Sequence, residues 1–241
     1  MADISVSQEI LEPGILSVII KNHNKRNALS DNIKLELEKI ALELRTRTEV
    51  KAVILSGEKG NFSSGNDIKE DHAFGDGLNL EEARQKNRLG LRMCDAWTNI
   101  PQITVASIEG ACIGGGVSLA LSCDFRFCDA KSYFYVPEVE LGFTYAWGTI
   151  PKLVSILGPV KTKLLTITGE KLYSNSLIEW GLCEEVIQNP LNYSREFLKK
   201  IILKPIVAQQ MVKESINRQT NFNQISILEQ DQVLLTRKFN Q

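Results

Sequence analysis

The chain has 241 residues, 43% of them hydrophobic, which is enough for one sizeable core or for one core with a helical appendage. Its 28 basic and 29 acidic side chains leave a net charge of −1. This balance argues against a surface that coats nucleic acid or binds an anionic membrane.

Cysteine and histidine usage predicts no metal site. The five cysteines form no CxxC pair, and only two histidines accompany them. The cysteines are typical of small buried residues in a reducing compartment. We find no basic region followed by an apolar one at the N-terminus, and the most apolar stretch, residues 100–123, carries Glu109 and several glycines. We therefore expect a soluble, cytoplasmic protein without a membrane span.

The first part of the chain alternates between strand and helix patterns. Residues 15–21 form a β-branched run after Pro13-Gly14 and predict a strand. Residues 27–31 offer N-cap chemistry, and apolar residues follow at helical spacing at positions 33, 37, 40, 41 and 44. Residues 51–56 predict a second strand, and the turn-forming residues of 60–67 predict a loop.

The remaining elements predict an α/β core followed by helices. We predict a helix over 80–97, a strand over 103–108, a helix that ends at Leu121, and short strands over 125–127 and 133–135. From Trp147 to Gln241 the pattern is mainly helical, with one strand candidate over 183–187 and stops at Gly158-Pro159, Gly169, Gly181, Pro190 and Pro205. Strands that alternate with helices predict an α/β core, with the last helices packed on it or on a partner subunit. We divide the chain into a core, 1–190, and a C-terminal helical region, 191–241.

The run Gly114-Gly115-Gly116 is the first candidate for chemistry. Glycines between a strand and a helix let a ligand approach the backbone closely, and the helix start offers N–H groups and a positive dipole end to an anion. The run matches neither the dinucleotide-binding nor the phosphate-loop pattern. Taken alone, close packing of the strand on the helix explains it more simply.

Two further segments favour the same kind of site. The loop of residues 61–70 again places backbone N–H groups between a strand and a helix start, although a capped turn is the simpler explanation. In residues 137–142, Glu138 and Glu140 stand beside a proline and apolar residues. A carboxyl in such a dry setting has the raised pKa that a proton shuttle needs. A solvated loop charge is the alternative for either glutamate.

Together these segments resemble the enoyl-CoA hydratase/isomerase (crotonase) superfamily. The motifs occur in the family's order: NKRNAL (24–29), FSSGNDIKE (62–70), IEGACIGGG (108–116), SCDFR (122–126) and PEVELG (137–142). The resemblance covers residues 10 to about 220. It implies an α/β, crotonase-like (ClpP/crotonase) spiral of ββα repeats with a C-terminal helical trimerisation region. It also implies an acyl-CoA thioester substrate, no cofactor beyond the coenzyme A of that substrate, and a homotrimer or hexamer.

The resemblance also implies which residues bind and react. The backbone N–H groups of Asn66 and Gly115 form an oxyanion hole for the thioester oxygen, and Glu138 is the catalytic carboxylate. Lys25, Arg26 and Ala28 lie near coenzyme A. Tyr145 and Trp147 shape the acyl pocket, with plain core packing as the alternative. The remaining substrate-binding residues are Gly65, Asp67, Ile68, Gly114 and Ser118.

One departure from the family pattern bears on the reaction. Hydratases of this family use two glutamates 20 residues apart, and here Ser118 stands where the first is required. A serine hydroxyl is a poor general base without a partner. We therefore predict isomerisation of 3-enoyl-CoA to 2-enoyl-CoA with Glu138 as the single acid–base group. The alternatives are a hydratase-like or other lyase or decarboxylase reaction, and a non-catalytic acyl-CoA-binding protein.

A second departure lies at the C-terminus. Family members usually continue for another helix that helps to close the coenzyme A pocket, so the C-terminal region is expected to be short relative to the family. Lys238 and Phe239 are candidates to replace that helix. The departure bears on affinity for the substrate and on oligomeric state.

Overall fold

The computed structural model describes residues 5–68 and 78–219. Its strands are β1 (Ser5–Glu12), β2 (Ile15–Lys21), β3 (Ala52–Gly57), β4 (Ile103–Ile108), β5 (Ala111–Ile113), β6 (Phe125–Cys128), β7 (Tyr133–Tyr135), β8 (Leu172–Tyr173) and β9 (Glu185–Val186). Its helices are α1 (Asp31–Leu44), α2 (Leu80–Asn87), α3 (Leu89–Thr98), α4 (Gly115–Ala120), α5 (Thr149–Ile167), α6 (Ser174–Glu179), α7 (Pro190–Ile202) and α8 (Ile206–Gln219). A short 3-10 helix, His23–Lys25, follows β2.

Two sheets lie at the centre of the fold. The larger has the order β1-β2-β3-β4-β6-β9, in which β1 is antiparallel to β2 and the other neighbours are parallel. The smaller has the order β5-β7-β8. The segments β4-β5-α4 and β6-β7-α5 each give one strand to the large sheet, one to the small sheet and then a helix. This is the expected spiral of ββα repeats, and the glycine run lies at the junction of β5 and α4.

Helix α1 begins where the sequence predicts it. The Ser30 hydroxyl accepts a hydrogen bond from the backbone N–H of Ile33 (3.3 Å), which satisfies one of the unpaired donors at the helix start. Its apolar face, including Leu37, is buried in the main core. The indole N–H of Trp97 in α3 donates to the Leu37 carbonyl (3.1 Å), so α1 and α3 are joined by a buried hydrogen bond as well as by packing. This pair of helices forms one wall of the site described below.

The helices after residue 190 pack on the face of the large sheet that is opposite to α1. Phe197 of α7 stacks edge-to-face on Phe125 and Phe127 of β6, with ring centroids 5.1 Å apart in both pairs. Lys213 of α8 is buried and donates to the Asp124 carboxylate (2.8 Å) and to the Gln102 carbonyl (2.7 Å). These contacts attach the described C-terminal helices to the core.

The helix predicted over 80–97 is two helices that meet at Arg88. α2 buries Ala83 and exposes most of its surface, whereas α3 is largely buried. A Cβ atom on Gly90 would overlap the ring of Trp147, so α3 lies directly against that ring. The prediction of one helix was wrong because the sequence pattern did not separate an exposed segment from one packed against an aromatic ring.

Several short or edge elements also differ from the prediction. β1 was not predicted because its exposed residues, Gln8 to Ile10, break the alternation expected of a strand. β5 and β8 were also missed, since they have 3 and 2 residues. The strand predicted over 183–187 is reduced to β9. The predicted stop at Gly158-Pro159 is a kink inside α5, where Gly158 takes φ 71° and the helix then resumes.

Parts of the predicted C-terminal region lie outside the described residues. These include 220–241, and with them Lys238 and Phe239; the boundary at residue 190 stays a prediction. All five cysteines lie in the described part and are buried and free. Within that part, no helix has the length and apolar character needed to cross a bilayer. Nor does any group of three or more histidine, cysteine, aspartate or glutamate side chains in residues 5–68 and 78–219 have the arrangement of a metal site.

Candidate active site

A cavity of about 430 Å³ opens where the glycine run, the loop after β3 and the segment after β7 meet. Its wall includes backbone from Gly65 to Ile68 and from Ile113 to Gly115. Glu138 and the residues 143–147 also line it, together with Lys25 and Ala28 from the segment after β2 and with residues of α1, α2, α3 and α4. The cavity is therefore built by segments far apart in sequence that the spiral brings together.

The backbone beside Asn66 is held by Leu29. Leu29 N–H donates to the Gly65 carbonyl (2.8 Å), and the N–H of Asp67 donates to the Leu29 carbonyl (3.2 Å). In such a parallel bridge, the residue between the two bonds turns its own N–H to the opposite edge of the strand. The N–H of Asn66 therefore faces the side on which β5 and the glycine run lie.

Gly115 supplies a second N–H at the same place. A Cβ atom on Gly65, whose φ is +87°, would lie 3.3 Å from the Gly115 nitrogen and 2.6 Å from the Ile113 oxygen. The two backbones thus approach as closely as only glycine permits. Gly115 is the first residue of α4, and its N–H has no acceptor among the described residues. The arrangement suits a pair of donors that share one oxygen atom.

Glu138 is placed against the glycine run. Its side chain is buried, and Oε1 would lie 2.6 Å from a Cβ atom on Gly114. Burial raises the pKa of the Glu138 carboxyl to about 7. Its other oxygen, Oε2, is buried without a hydrogen-bond partner in the described part of the chain. A carboxyl with a pKa near neutrality and an unbonded oxygen suits proton transfer in both directions.

The hydroxyl of Ser118 belongs to a buried hydrogen-bond network. It donates to the Tyr145 hydroxyl oxygen (3.1 Å) and lies 2.6 Å from Oγ1 of Thr149. Tyr145 in turn donates to the Gly114 carbonyl (2.9 Å), and burial raises its pKa well above the ordinary value. The network fixes the backbone of the glycine run. Both of these partners of Ser118, Tyr145 and Thr149, are uncharged at neutral pH, so neither makes Ser118 a base.

Trp147 and Lys34 form the far wall of the cavity. Trp147 has φ 60°, and its ring fills space that Cβ atoms on Gly90 and Gly115 would otherwise occupy. The Lys34 ammonium lies 5.7 Å from the centroid of this ring and donates to the side-chain oxygen of Asn66 (2.9 Å). It also pairs with Asp31 (2.8 Å), although only 5% of Lys34 is exposed.

The cavity gathers the predicted site residues with one exception. Arg26 is exposed and does not line it, so a role for Arg26 stays a prediction. Lys25 lines the cavity and pairs with Asp67 (2.6 Å). The predicted residues in its lining are Lys25, Ala28, Gly65, Asn66, Asp67, Ile68, Gly114, Gly115, Ser118, Glu138, Tyr145 and Trp147.

Several residues of this wall were not predicted from the sequence, among them Lys34, Lys86 and Gly90. For Lys34 a signal was present. It lies three residues before Leu37 on the buried face of α1, where a lysine interrupts an otherwise apolar pattern. A charged residue at an apolar position indicates either a buried ion pair or a ligand contact.

Comparisons with known proteins agree on one family. The family model described as enoyl-CoA hydratase/isomerase matches residues 11–241. The chain is 30% identical to an ethylmalonyl-CoA decarboxylase of Danio rerio, over 87% of this chain and 70% of that protein. It is 30% identical to a short-chain-enoyl-CoA hydratase of Clostridium acetobutylicum, over 85% of this chain and 78% of that protein. An enoyl-CoA hydratase structure from Bacillus anthracis matches with a TM-score of 0.83 and 25% identity, over 96% of this chain and 90% of that one.

Proposed function

The chain belongs to the enoyl-CoA hydratase/isomerase (crotonase) family, and from that membership we propose that it converts 3-enoyl-CoA to 2-enoyl-CoA. The observation that carries the proposal is the buried Glu138 carboxyl, with its pKa near 7, beside the backbone donors of Asn66 and Gly115. Asp67 is the other carboxyl in the described lining, and it is paired with Lys25. One unpaired acid–base group suits a reaction that moves one proton.

The geometry supports the following sequence of steps. The thioester oxygen binds between the N–H groups of Asn66 and Gly115, which stabilise the negative charge that forms there. Ionised Glu138 removes a proton from C2 and leaves a dienolate. The same carboxyl then returns that proton to C4, so the double bond moves from C3–C4 to C2–C3. Nothing else is consumed, and the enzyme ends in its starting state.

Hydration is supported less well by this site. Adding water across a 2-enoyl thioester needs a group that activates the water as well as one that protonates carbon. Ser118 occupies the position of the first group, and its hydroxyl is committed to Tyr145 and Thr149. We therefore expect slow turnover of crotonyl-CoA.

Decarboxylation of a 2-carboxyacyl thioester is a second candidate. Loss of CO₂ from such a substrate also leaves an enolate, which the same two donors would hold. Because the pKa of Glu138 is about 7, part of the population is protonated at neutral pH and able to deliver a proton to C2. The 30% identity to an ethylmalonyl-CoA decarboxylase favours including this reaction. Release of CO₂ from ethylmalonyl-CoA tests it directly.

The decisive experiment is an isomerase assay with 3-hexenoyl-CoA. We expect Glu138→Gln to lower kcat by at least about 100-fold, because removal of a positioned general base commonly has an effect of this size. Glu140→Gln is the matched control, since Glu140 lies in the same turn with its side chain exposed. An unchanged rate in Glu138→Gln would refute the role of Glu138. Binding of acyl-CoA without turnover across both 2-enoyl and 3-enoyl substrates would instead support a non-catalytic binding protein.

Three further properties form part of the proposal. We propose that the chain assembles as a homotrimer or hexamer, that it acts in the cytoplasm, and that it needs no cofactor beyond the coenzyme A carried by the substrate. Family membership supports the first and the last of these. Light scattering of the purified protein and activity after exhaustive dialysis against a chelator test them.

A further inference from the structure

Among the lysines in the described lining, Lys34 is the buried one, and the proposed reaction does not use it. It is 5% exposed, it lies on the buried face of α1, and it lines the cavity beside Asn66 and Trp147. Burying an ammonium carries a large desolvation penalty unless partners offset it. A neutral hydrocarbon acyl chain would gain nothing from a cation at this position.

The charges around Lys34 do not cancel. Among residues 5–68 and 78–219 its one ionic partner is Asp31, which is shared with Lys86, whose ammonium lies 3.1 Å from the second carboxylate oxygen. Burial alone would raise the pKa of Asp31, but its hydrogen bonds and ion pairs with Lys34 and Lys86 outweigh this and lower that pKa. The group therefore holds two cations and one anion. The neighbouring pair of Lys25 and Asp67 is neutral and does not change the balance.

The Lys34 ammonium also retains capacity for a further hydrogen bond. It carries three N–H donors, and in the described part of the chain it donates to Asp31 and Asn66. The side chain of Asn66 belongs to the residue whose backbone N–H faces the oxyanion site. The free donor is thus one side chain away from the position of the thioester.

We propose that the acyl group of the substrate carries a second carboxylate and that Lys34 binds it. The inference rests on the proposed function only in taking an acyl-CoA thioester as the ligand of this cavity. A carboxylate at this position gives the group of Lys34, Lys86 and Asp31 its missing negative charge. It also accepts the third N–H of Lys34 in a charge-assisted hydrogen bond. The substrate class is the CoA monothioester of a dicarboxylic acid.

A purely structural role for Lys34 gives a different expectation. If the ammonium only positions the Asn66 side chain, replacing it would weaken the binding of all acyl-CoA esters alike. If it binds a substrate carboxylate, the effect would be confined to ligands that carry one. The ratio of two affinities separates the two roles.

The test compares ligands that differ only by a terminal methyl or carboxylate group. Succinyl-CoA is paired with butyryl-CoA, and glutaryl-CoA with pentanoyl-CoA, and each dissociation constant is measured by calorimetry. We expect wild-type protein to bind at least one dicarboxylic ester about 10- to 100-fold more tightly than its neutral partner, as one charge-assisted hydrogen bond would give. Equal affinities within both pairs would overturn the inference.

Variants then assign the preference to Lys34. Lys34→Met should remove it, and Lys34→Arg, which keeps the charge, should retain most of it. Lys39→Met is the matched control, because Lys39 lies on the same helix with 75% of its side chain exposed. A preference that survives Lys34→Met would overturn the assignment, and if that variant does not fold, the wild-type ratio still decides whether the substrate class is right. Since binding is measured without turnover, failure of the isomerase assay leaves this result unaffected.

Discussion

Replacing Glu138 by glutamine should stabilise the protein at alkaline pH. The pKa of this carboxyl is about 7 in the fold, against an ordinary value of 4.5. Between these two values the folded chain binds more protons than the unfolded chain, so the free energy of unfolding falls as pH rises. The destabilisation is complete above pH 7 and absent well below pH 4.5. Glutamine has nearly the same shape and never ionises, so it removes the destabilisation without emptying the site.

The magnitude follows from the two pKa values. The difference is 7 − 4.5 = 2.5 units, and at 1.36 kcal/mol per unit it amounts to about 3 kcal/mol. At pH 8 the Glu138→Gln protein should be more stable than wild type by about this amount. At pH 5 the difference should be below about 1 kcal/mol, because there most of the destabilisation is already relieved by protonation.

The assay is urea unfolding at pH 5 and pH 8, at one fixed protein concentration because assembly would shift apparent stability. Glu140→Gln controls for the loss of a charge from the same turn and should behave alike at both pH values. The informative quantity is the change with pH in the stability difference between Glu138→Gln and wild type. If that difference is the same at pH 5 and pH 8, then Glu138 does not have the raised pKa that its burial implies.

Three other predictions test separate parts of the structure. The kcat/KM for 3-hexenoyl-CoA should rise with pH and level off above about pH 7, because only ionised Glu138 removes the C2 proton; a flat profile from pH 5 to 9 would contradict this. Gly114→Ala should lower kcat about 100-fold by displacing Glu138. Gly60→Ala is the control, because Gly60 also has a positive φ but has open space around it, and this variant should keep kcat within about 2-fold of wild type. Lys213→Met should lower the free energy of unfolding by about 3 kcal/mol, because it leaves Asp124 without its buried cation. A loss below about 1 kcal/mol in urea unfolding would show that the ion pair does not anchor α8.

The alternating architecture was predictable because its repeated elements have strong local patterns. β2, β3 and β4 are short, mostly buried runs that contain several β-branched residues, and the apolar spacing of α1 places its buried face correctly. β1 was not predictable, since one side of an edge strand meets water and its sequence is mixed. The kink in α5 shows a further limit: Gly158-Pro159 predicts an interruption, but whether a helix resumes depends on tertiary packing.

The parts of the site that lie in recognisable sequence motifs were predictable. The parts that depend on packing between distant segments were not. The motifs that contain Asn66, Gly115 and Glu138 line one cavity, as the resemblance to the family implied. The network that holds Ser118 was not predictable, since it depends on a tyrosine 27 residues away. Lys34 was missed because helical spacing was used to find apolar residues and not the charged residue among them.

The ring of Trp147 has a consequence for how this site varies among relatives. Gly90 and Gly115 come from different helices, yet both lack a side chain where the same indole lies. A larger side chain at position 90 or at position 115 is therefore conditional on a smaller one at position 147. In an alignment of relatives we expect residues larger than glycine at position 90 only where position 147 carries a side chain smaller than tryptophan. The size of the acyl chamber would then change through linked replacements rather than single ones.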